Sequence, residues 1–206
     1  MLHFFELMML SKTWKATRWQ PSGNKTRGLA SFVLCMLFIA SAQPSATEYQ
    51  VKAAYLLDFG KFVTWPAAAA PKNSEAFSIC VLGDDPFGSI LDNTVRGERI
   101  NGKPVTARRV RTIQQATGCH VLFVSDSGER LSRKTISALN KSGMLTVSDA
   151  HGFWENGGII QFVYSGNRIR FEVNLDAARE AGITLSSELL KVARAVHGKN
   201  ATGGAQ

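Results

Sequence analysis

The sequence lacks an apolar run long enough to remain in a bilayer. A spanning helix needs roughly 20 apolar residues, whereas the uncharged, mostly apolar stretch at residues 29–40 ends shortly before Gln43 and Pro44. This shortage argues against a transmembrane helix at this position and leaves a targeting role for the stretch.

Acidic residues are missing from the segment in front of that stretch. Five cations and no acid lie from Lys12 to Arg27, and the apolar stretch ends in small residues at Ala40-Ser41-Ala42. A basic front, a short apolar run and small residues where signal peptidase reads are typical of a secretory signal. We therefore expect residues 1–42 to be a signal peptide cleaved after Ala42. Retention as an uncleaved anchor is the alternative, because the basic front is long.

Excess charge is small once this leader is set aside. The leader holds five of the 24 basic residues and one of the 16 acidic residues, so the net charge falls from +8 to +4. No basic stripe interleaved with aromatic residues is present, which argues against nucleic acid as a partner. The one dense basic patch, Arg108, Arg109 and Arg111, is interpreted as a solvated strand end, with a phosphate or acidic-partner site as the alternative.

Cysteine is scarce, and one of the three, Cys35, lies in the leader. Cys80 and Cys119 remain as a pair in an oxidising compartment. Each lies in or begins an apolar run typical of a buried parallel strand, and neighbouring strands are about 4.8 Å apart, a distance compatible with a disulfide. We expect these two cysteines to be bonded. Two buried free thiols on non-adjacent strands are the alternative.

Hydrophobic periodicity predicts a single domain over residues 43–198 and a flexible tail at 199–206. The predicted elements are a helix at 47–65, a strand at 77–82, a short helix ending near 92, strands at 105–110 and 119–124, a helix near 129–140, a strand at 144–147, hairpin strands at 159–164 and 169–173, and helices at 175–181 and 186–196. This order predicts an α/β sandwich, with a mixed β-sheet, flanking helices and a C-terminal antiparallel hairpin followed by two helices.

The side chains of these elements carry further expectations. In the first helix Val51, Tyr55, Phe59 and Phe62 recur at helical spacing. In the last helix the inward residues are expected to be Leu189, Leu190, Val192, Ala193 and Val196. In the second hairpin strand the expected polar face consists of Arg168, Arg170 and Glu172.

Patterns that suggest enzymatic chemistry are incomplete. The segment from Gly97 to Lys103 has the spacing of a phosphate-binding loop, but Pro104 occupies the position of the Mg²⁺-binding Ser or Thr. A tight turn through residues 100–104, with positive φ at 101 and 102, is the favoured interpretation.

Three acids follow two predicted strands, as in phosphoacceptor receiver domains. Asp84 and Asp85 follow the first strand and Asp126 follows the strand at 119–124, so together they offer carboxylates for Mg²⁺. Helix capping and turn formation are favoured for these acids. A degenerate receiver-like enzyme that binds Mg²⁺ is kept as an alternative.

The mature histidines, His120, His151 and His197, lie in different elements without a partner at ligand spacing. A metal site at Cys80, Cys119 and His120 would offer only two thiols and one imidazole, so His120 is interpreted as an ordinary strand histidine. We therefore expect no catalytic residues, no metal and no cofactor.

A larger set of motifs is spread in order from about Glu48 to Val196. They are Val51-Lys-Ala-Ala-Tyr55, Phe62-Val-Thr-Trp-Pro66, Ile79-Cys-Val-Leu-Gly-Asp-Asp-Pro86, Cys119-His-Val-Leu-Phe-Val-Ser125, Leu145-Thr-Val-Ser-Asp149, Gly157-Gly-Ile-Ile-Gln-Phe162, Arg168-Ile-Arg-Phe-Glu-Val-Asn174 and Ser186-Ser-Glu-Leu-Leu190. With these motifs the chain resembles the YfiR family of bacterial periplasmic proteins.

The resemblance implies a non-enzymatic periplasmic repressor. Members of this family restrain an inner-membrane diguanylate cyclase by binding its periplasmic region, which lowers cyclic di-GMP and biofilm formation. An OmpA-like outer-membrane lipoprotein is expected to sequester the repressor. Cys80 and Cys119 match one family disulfide, whereas a second pair found in some members is absent, because residues 144–162 contain no cysteine.

Action by contact requires a surface. Trp65, Phe153 and Trp154 lie near predicted loops, where aromatic side chains anchor partners effectively, with core packing as the alternative. Homodimerisation is a further expectation, because two-fold dimers are the commonest oligomers. A periplasmic sensor that binds a small molecule is the remaining alternative.

Overall fold

The computed structural model describes residues 46–65, 75–125 and 132–199. The helices are α1 (Ala46–Phe62), α2 (Ser89–Val95), α3 (Arg133–Lys141), α4 (Leu175–Glu180) and α5 (Ser187–Val192). The strands are β1 (Val63–Thr64), β2 (Phe77–Leu82), β3 (Arg99–Ile100), β4 (Lys103–Val110), β5 (Val121–Val124), β6 (Leu145–Ser148), β7 (Ile160–Ser165), β8 (Arg168–Asn174), β9 (Thr184–Leu185) and β10 (Ala195–His197). The expected leader at 1–42, Asp126 and all but Lys199 of the expected tail lie outside the described residues.

Eight strands form one mixed sheet in the order β10-β8-β7-β6-β5-β2-β4-β3. The central strands β4, β2, β5, β6 and β7 are parallel, whereas β7 and β8 form an antiparallel hairpin. Strands β1 and β9 form a separate antiparallel pair. The predicted mixed α/β class is therefore confirmed. Within the described ranges, no helix is both long and apolar enough to cross a membrane.

Alternation along the buried strands divides the core between the two faces of the sheet. In β2, Ile79 and Val81 join the larger core cluster, which includes residues of α1 and α2, and Cys80 and Leu82 join a second cluster, which includes residues of α3. All six β2 residues are buried, as expected of a central parallel strand. Both faces of the sheet are thus covered by hydrophobic side chains, which leaves the ends of the strands as the place for a site.

The positive φ predicted at residues 101 and 102 is confirmed. Asn101 and Gly102 have φ of 51° and 79°, and the hairpin turn has Gly166 and Asn167 at 56° and 59°. The Asn174 side chain accepts a hydrogen bond from the Ala177 N–H and caps α4. These short-range features depend on residues next to one another, so tertiary packing does not override them.

The first helix ends earlier than predicted. It stops at Phe62, because Val63 and Thr64 pair as a strand with Leu185 and Thr184. Phe59 is fully buried, but Val51 and Phe62 are 39% and 42% exposed. The stripe predicted from helical spacing is therefore only partly the buried face of α1.

The last predicted helix is also shorter. Helix α5 ends at Val192, which is 55% exposed rather than inward. The chain then forms β10, and the Arg194 N–H donates to the carbonyl of Phe171 in β8. The open edge of β8 therefore pairs with a segment that local periodicity predicts to be helical. Glu172 of β8, predicted on a polar face, is buried.

Candidate functional site

A cavity of about 950 Å³ lies where the carboxyl ends of β2, β5 and β6 face the β7–β8 hairpin. In open α/β sheets, ligands bind outside the carboxyl ends of parallel strands. The lining comes from α1, from the segments after β2, β5 and β6, and from the hairpin. We call this cavity the β6–β7 cleft.

The cleft exists because β6 ends before β7 does. Strand β6 pairs with β7 only at Ile160 and Gln161, although β7 continues to Ser165. Beyond the last pair, Phe162, Val163 and Tyr164 line the cavity. One edge of β7 is therefore open to the cleft over these three residues.

A buried lysine forms one wall. Lys52 is 3% exposed, and its Nζ lies 2.6 Å from Asp149 Oδ2 and 2.5 Å from Glu48 Oε1. The same ammonium lies 4.6 Å from the ring centre of Tyr49. Burial alone lowers the pKa of Lys52, but the hydrogen bonds to Asp149 and Glu48 outweigh it and raise that pKa above its usual value. Lys52 is therefore a charged structural link and not a neutral amine available for nucleophilic chemistry.

Glu48 connects this link to the hairpin. The Tyr164 hydroxyl donates a hydrogen bond to Glu48 Oε2. Burial by itself raises the pKa of Glu48. The hydrogen bonds from Lys52 and Tyr164 have the larger combined effect, so the pKa of Glu48 lies below its usual value. The bond to Glu48, followed by burial, raises the pKa of Tyr164. The start of α1 and the open edge of β7 are thus held together by one charged network.

A second network of hydrogen bonds, at β8 and β10, also borders the cleft. Glu172 Oε1 accepts from Arg194 at 2.6 Å, and Glu172 Oε2 lies 3.0 Å from His197 Nε2. The His197 ring stacks on Trp154, with centroids 3.6 Å apart and planes 2° from parallel. Gln161 accepts a hydrogen bond from the Trp154 N–H. These bonds fix β10 and the Trp154 loop beside the cleft.

The predicted acid set is only partly present at the cleft. Asp84 and Asp85 line it, whereas Asp126 lies outside the described residues. Asp85 accepts the Phe87 N–H at 2.9 Å and an Arg109 Nε–H at 2.8 Å, which is the turn-forming role favoured above. Within residues 46–65, 75–125 and 132–199, no group of three or more His, Cys, Asp or Glu side chains is arranged to hold a metal ion.

The arginine patch is used mainly within the chain. Arg109 forms ion pairs with Asp85 and Asp92, and its hydrogen bond to Asp92 holds the pKa of that carboxyl below its usual value. Arg108 donates to the carbonyls of Gln115 and Thr117. Two of the three guanidinium groups therefore brace the surface around β4.

The aromatic candidates occupy three different environments. The Trp65 indole N–H donates to the Gly143 carbonyl at 3.0 Å, and its ring contacts Phe77 edge-on. Phe153 is 5% exposed and belongs to the second core cluster. Trp154 lines the cleft. Only Trp154 thus combines partial exposure with a position at the cavity.

The cysteines and His120 have structural roles. Cys80 and Cys119 form the expected disulfide, with a Cα–Cα distance of 5.9 Å, so neither is a thiolate ligand. His120 Nδ1 accepts the Ser78 N–H at 3.1 Å, and its ring stacks on Phe77. Burial, followed by the charge of Lys103, lowers the pKa of His120 from 6.5 to about 4. It is a neutral, hydrogen-bonded histidine that lies one residue before β5, rather than within the strand as predicted.

Sequence reasoning missed most of the cleft residues. Lys52 lies among apolar residues in Val51-Lys-Ala-Ala-Tyr55, and Glu172 lies between Phe171 and Val173. A charge within an apolar stretch signals a buried ion pair. Their partners, Asp149 and Arg194, lie elsewhere in the sequence, so the sequence alone did not identify either ion pair.

The chain is similar in sequence to one known family, and two solved structures align with part of it. The sequence model of the family described as YfiR/HmsC-like matches residues 49–194. Two solved structures align over 70% of this chain: an ABC domain in complex with L-Trp from Streptococcus pneumonia, at 14% identity and a TM-score of 0.46, and a conserved domain protein from Vibrio cholerae, at 13% identity and a TM-score of 0.45. This chain spans about 60% of the length of each.

Proposed function

The chain belongs to the YfiR/HmsC-like family, and on this premise we propose that it is a periplasmic repressor of an inner-membrane diguanylate cyclase. The proposed repressor binds the periplasmic region of the cyclase, and cyclic di-GMP and biofilm formation fall. An OmpA-like outer-membrane lipoprotein sequesters it and releases the cyclase. The observation that carries this proposal is the family match over residues 49–194, which spans nearly all of the described domain.

Two structural features support action outside the cytoplasm by contact. The Cys80–Cys119 disulfide fits an oxidising compartment. At the cleft, Lys52, Glu172 and Asp85 are each engaged in ion pairs, which suits a rigid binding surface better than acid–base catalysis. We therefore propose that the protein is a regulator and not an enzyme.

The experiment that tests the proposal measures intracellular cyclic di-GMP in a deletion strain. We expect the level to rise on deletion and to return when the full gene is supplied. We also expect the rise to disappear when one membrane-bound diguanylate cyclase is deleted as well, since the repressor acts through it. An unchanged level across growth and envelope stress would contradict the proposal.

The cleft favours one second candidate, a periplasmic sensor that binds a small molecule. Its volume of about 950 Å³ lies in the range of ligand pockets, and its wall combines apolar side chains with a few fixed charges. A metabolite that raises the melting temperature of the exported protein in proportion to the logarithm of its concentration would support this candidate.

A further inference from the structure

The open edge of β7 presents main-chain hydrogen-bonding groups to the cleft. The Asn174 N–H donates to the Ile159 carbonyl at 2.8 Å, at the start of the β7–β8 pairing. In an antiparallel pair such bonds recur at every second residue, so the main-chain groups of Val163, opposite Arg170, point to β8. Those of Phe162 and Tyr164 point the other way, to the side where β6 has ended.

An unpaired strand edge is a template for another strand. Protected edges carry lysines, prolines or bulges, whereas the edge at Phe162, Val163 and Tyr164 has none of these. The side chains around it supply apolar contacts, since Phe162, Val163, Ile169 and Trp154 all line the cleft. An extended segment placed here gains both main-chain hydrogen bonds and pockets for alternate side chains.

The charge of the cleft selects the kind of segment. Among the described residues, six acids line it against two bases: Glu48, Asp84, Asp85, Asp149, Glu155 and Glu172 against Lys52 and Arg194. The ion pairs described above neutralise part of this set. Asp84 and Glu155 are exposed and have no ion-pair partner in the described ranges. A domain of net positive charge thus carries a locally negative cleft, which attracts cationic groups.

We propose that the β6–β7 cleft binds an extended peptide segment of a protein partner, rich in lysine or arginine alternating with apolar residues, as an added strand alongside Phe162–Tyr164. The main chain of the peptide forms hydrogen bonds with the main-chain groups of Phe162 and Tyr164. Its apolar side chains contact the apolar residues that line the cleft, and its cations pair with Asp84 and Glu155. This inference rests on the proposed function, because it names how the regulator engages its protein partner.

The test uses the exported protein purified from the periplasm and a fluorescein-labelled peptide that alternates valine and lysine. Fluorescence polarisation measures its dissociation constant. Two matched peptides serve as controls: one replaces lysine by glutamate, and the other keeps lysine but carries N-methyl groups on alternate amides, so that it cannot donate main-chain hydrogen bonds along one edge. We expect the valine–lysine peptide to bind tightest and its affinity to fall as salt rises.

A pair of variants at one position separates the main chain from the side chain. Tyr164→Pro removes an N–H that faces the cleft and is not used in the β8 pairing, and Tyr164→Ala keeps that N–H while removing the same ring. Tyr164 is 60% exposed, so both variants are expected to fold, which circular dichroism checks. We expect Tyr164→Pro to bind about tenfold more weakly than Tyr164→Ala, the size of one lost main-chain hydrogen bond. Asp84→Asn and Glu155→Gln are expected to weaken binding of the lysine peptide most at low salt.

Equal affinity of the two Tyr164 variants, or of the N-methylated and unmodified peptides, would overturn strand addition. So would the absence of binding at millimolar peptide, including the case in which only a small metabolite occupies the cleft. Failure of this inference is distinguishable from failure of the proposed function. If Tyr164→Pro represses cyclic di-GMP as well as Tyr164→Ala, the inference fails and the repressor remains. If the peptide binds as expected while deletion leaves cyclic di-GMP unchanged, the repressor fails and the peptide site remains.

Discussion

Lys52 and Asp149, 97 residues apart in the chain, form a 2.6 Å hydrogen-bonded ion pair that joins α1 to the segment after β6. Glu48 completes the pair on the side of the hairpin. Because Glu48 also accepts a hydrogen bond from Tyr164, the network around this buried cation joins α1, the segment after β6 and the hairpin. The stability of the cleft and its shape depend on the same charge.

Replacing Lys52 by methionine keeps most of the side-chain volume and removes the charge. Glu48 and Asp149 are then left partly buried without a counter-ion, so we expect a loss of roughly 3 kcal/mol in the free energy of unfolding. Urea denaturation measures it. Lys61→Met is the matched control, because Lys61 is 40% exposed and pairs with an exposed Asp58; its loss is expected to stay below about 1 kcal/mol. Similar losses in the two variants would contradict a structural role for the buried pair.

His120 predicts a specific dependence of stability on pH. Its pKa is lowered by burial, and then by Lys103, from 6.5 to about 4 in the folded protein. Between pH 6.5 and about 4 the unfolded chain therefore binds a proton that the folded chain does not. Stability from this residue is present above pH 6.5 and is lost as the pH falls through about 4. The full shift corresponds to roughly 3 kcal/mol.

The measurement for His120 is the free energy of unfolding between pH 7 and pH 4 in two variants. His120→Asn keeps an acceptor for the Ser78 N–H but does not titrate in this range, so we expect its curve to be flatter than that of the parent chain. His151→Asn removes an exposed histidine and serves as the control. A slope that His120→Asn leaves unchanged would show that other groups cause the acid sensitivity.

The Cys80–Cys119 disulfide closes a loop with a sequence separation of 39. In the chain-entropy model a loop of this length stabilises the folded state by about 4 kcal/mol. We expect the Cys80→Ala, Cys119→Ala double variant to unfold at a lower urea concentration. Its free energy of unfolding is expected to fall by about the same amount. Because both cysteines are fully buried, reductant is expected to act on the native protein only through opening. Rapid reduction without loss of stability would contradict this account.

The adjacent aromatic residues Phe153 and Trp154 are expected to behave differently. Phe153 is 5% exposed in the core, so Phe153→Ala is expected to cost about 4 kcal/mol of stability. Trp154 is partly exposed and stacked on His197, so Trp154→Ala is expected to cost only about 1 kcal/mol. If Trp154 contacts the partner, Trp154→Ala weakens repression of cyclic di-GMP in a protein that still folds. Full repression by Trp154→Ala would remove this residue from the partner surface.

Local signals predicted much of the fold. The run Phe77–Leu82 and the turn at Asn101 and Gly102 both depend on near neighbours in the sequence. Segments whose partners are distant were misjudged. Val63 and Thr64 form a strand only because Thr184 and Leu185 lie beside them, and Ala195–His197 form one only because the edge of β8 is open.

The site was less predictable than the fold for the same reason. The disulfide was expected because only one pair of cysteines remained to bond. The cleft instead depends on where β6 stops relative to β7 and on contacts such as Tyr164 with Glu48, 116 residues away. No periodicity encodes such a contact, since it arises when separate elements are packed together.

The compartment in which the protein acts is the most direct test of a periplasmic repressor. A deletion strain is complemented either by the full gene or by a version that begins at Gln43 and stays in the cytoplasm, with matched protein levels, and cyclic di-GMP is measured in both. The account predicts that only the exported form lowers cyclic di-GMP to the level of the parent strain. Equal restoration by the cytoplasmic form, or no rise on deletion, would contradict it.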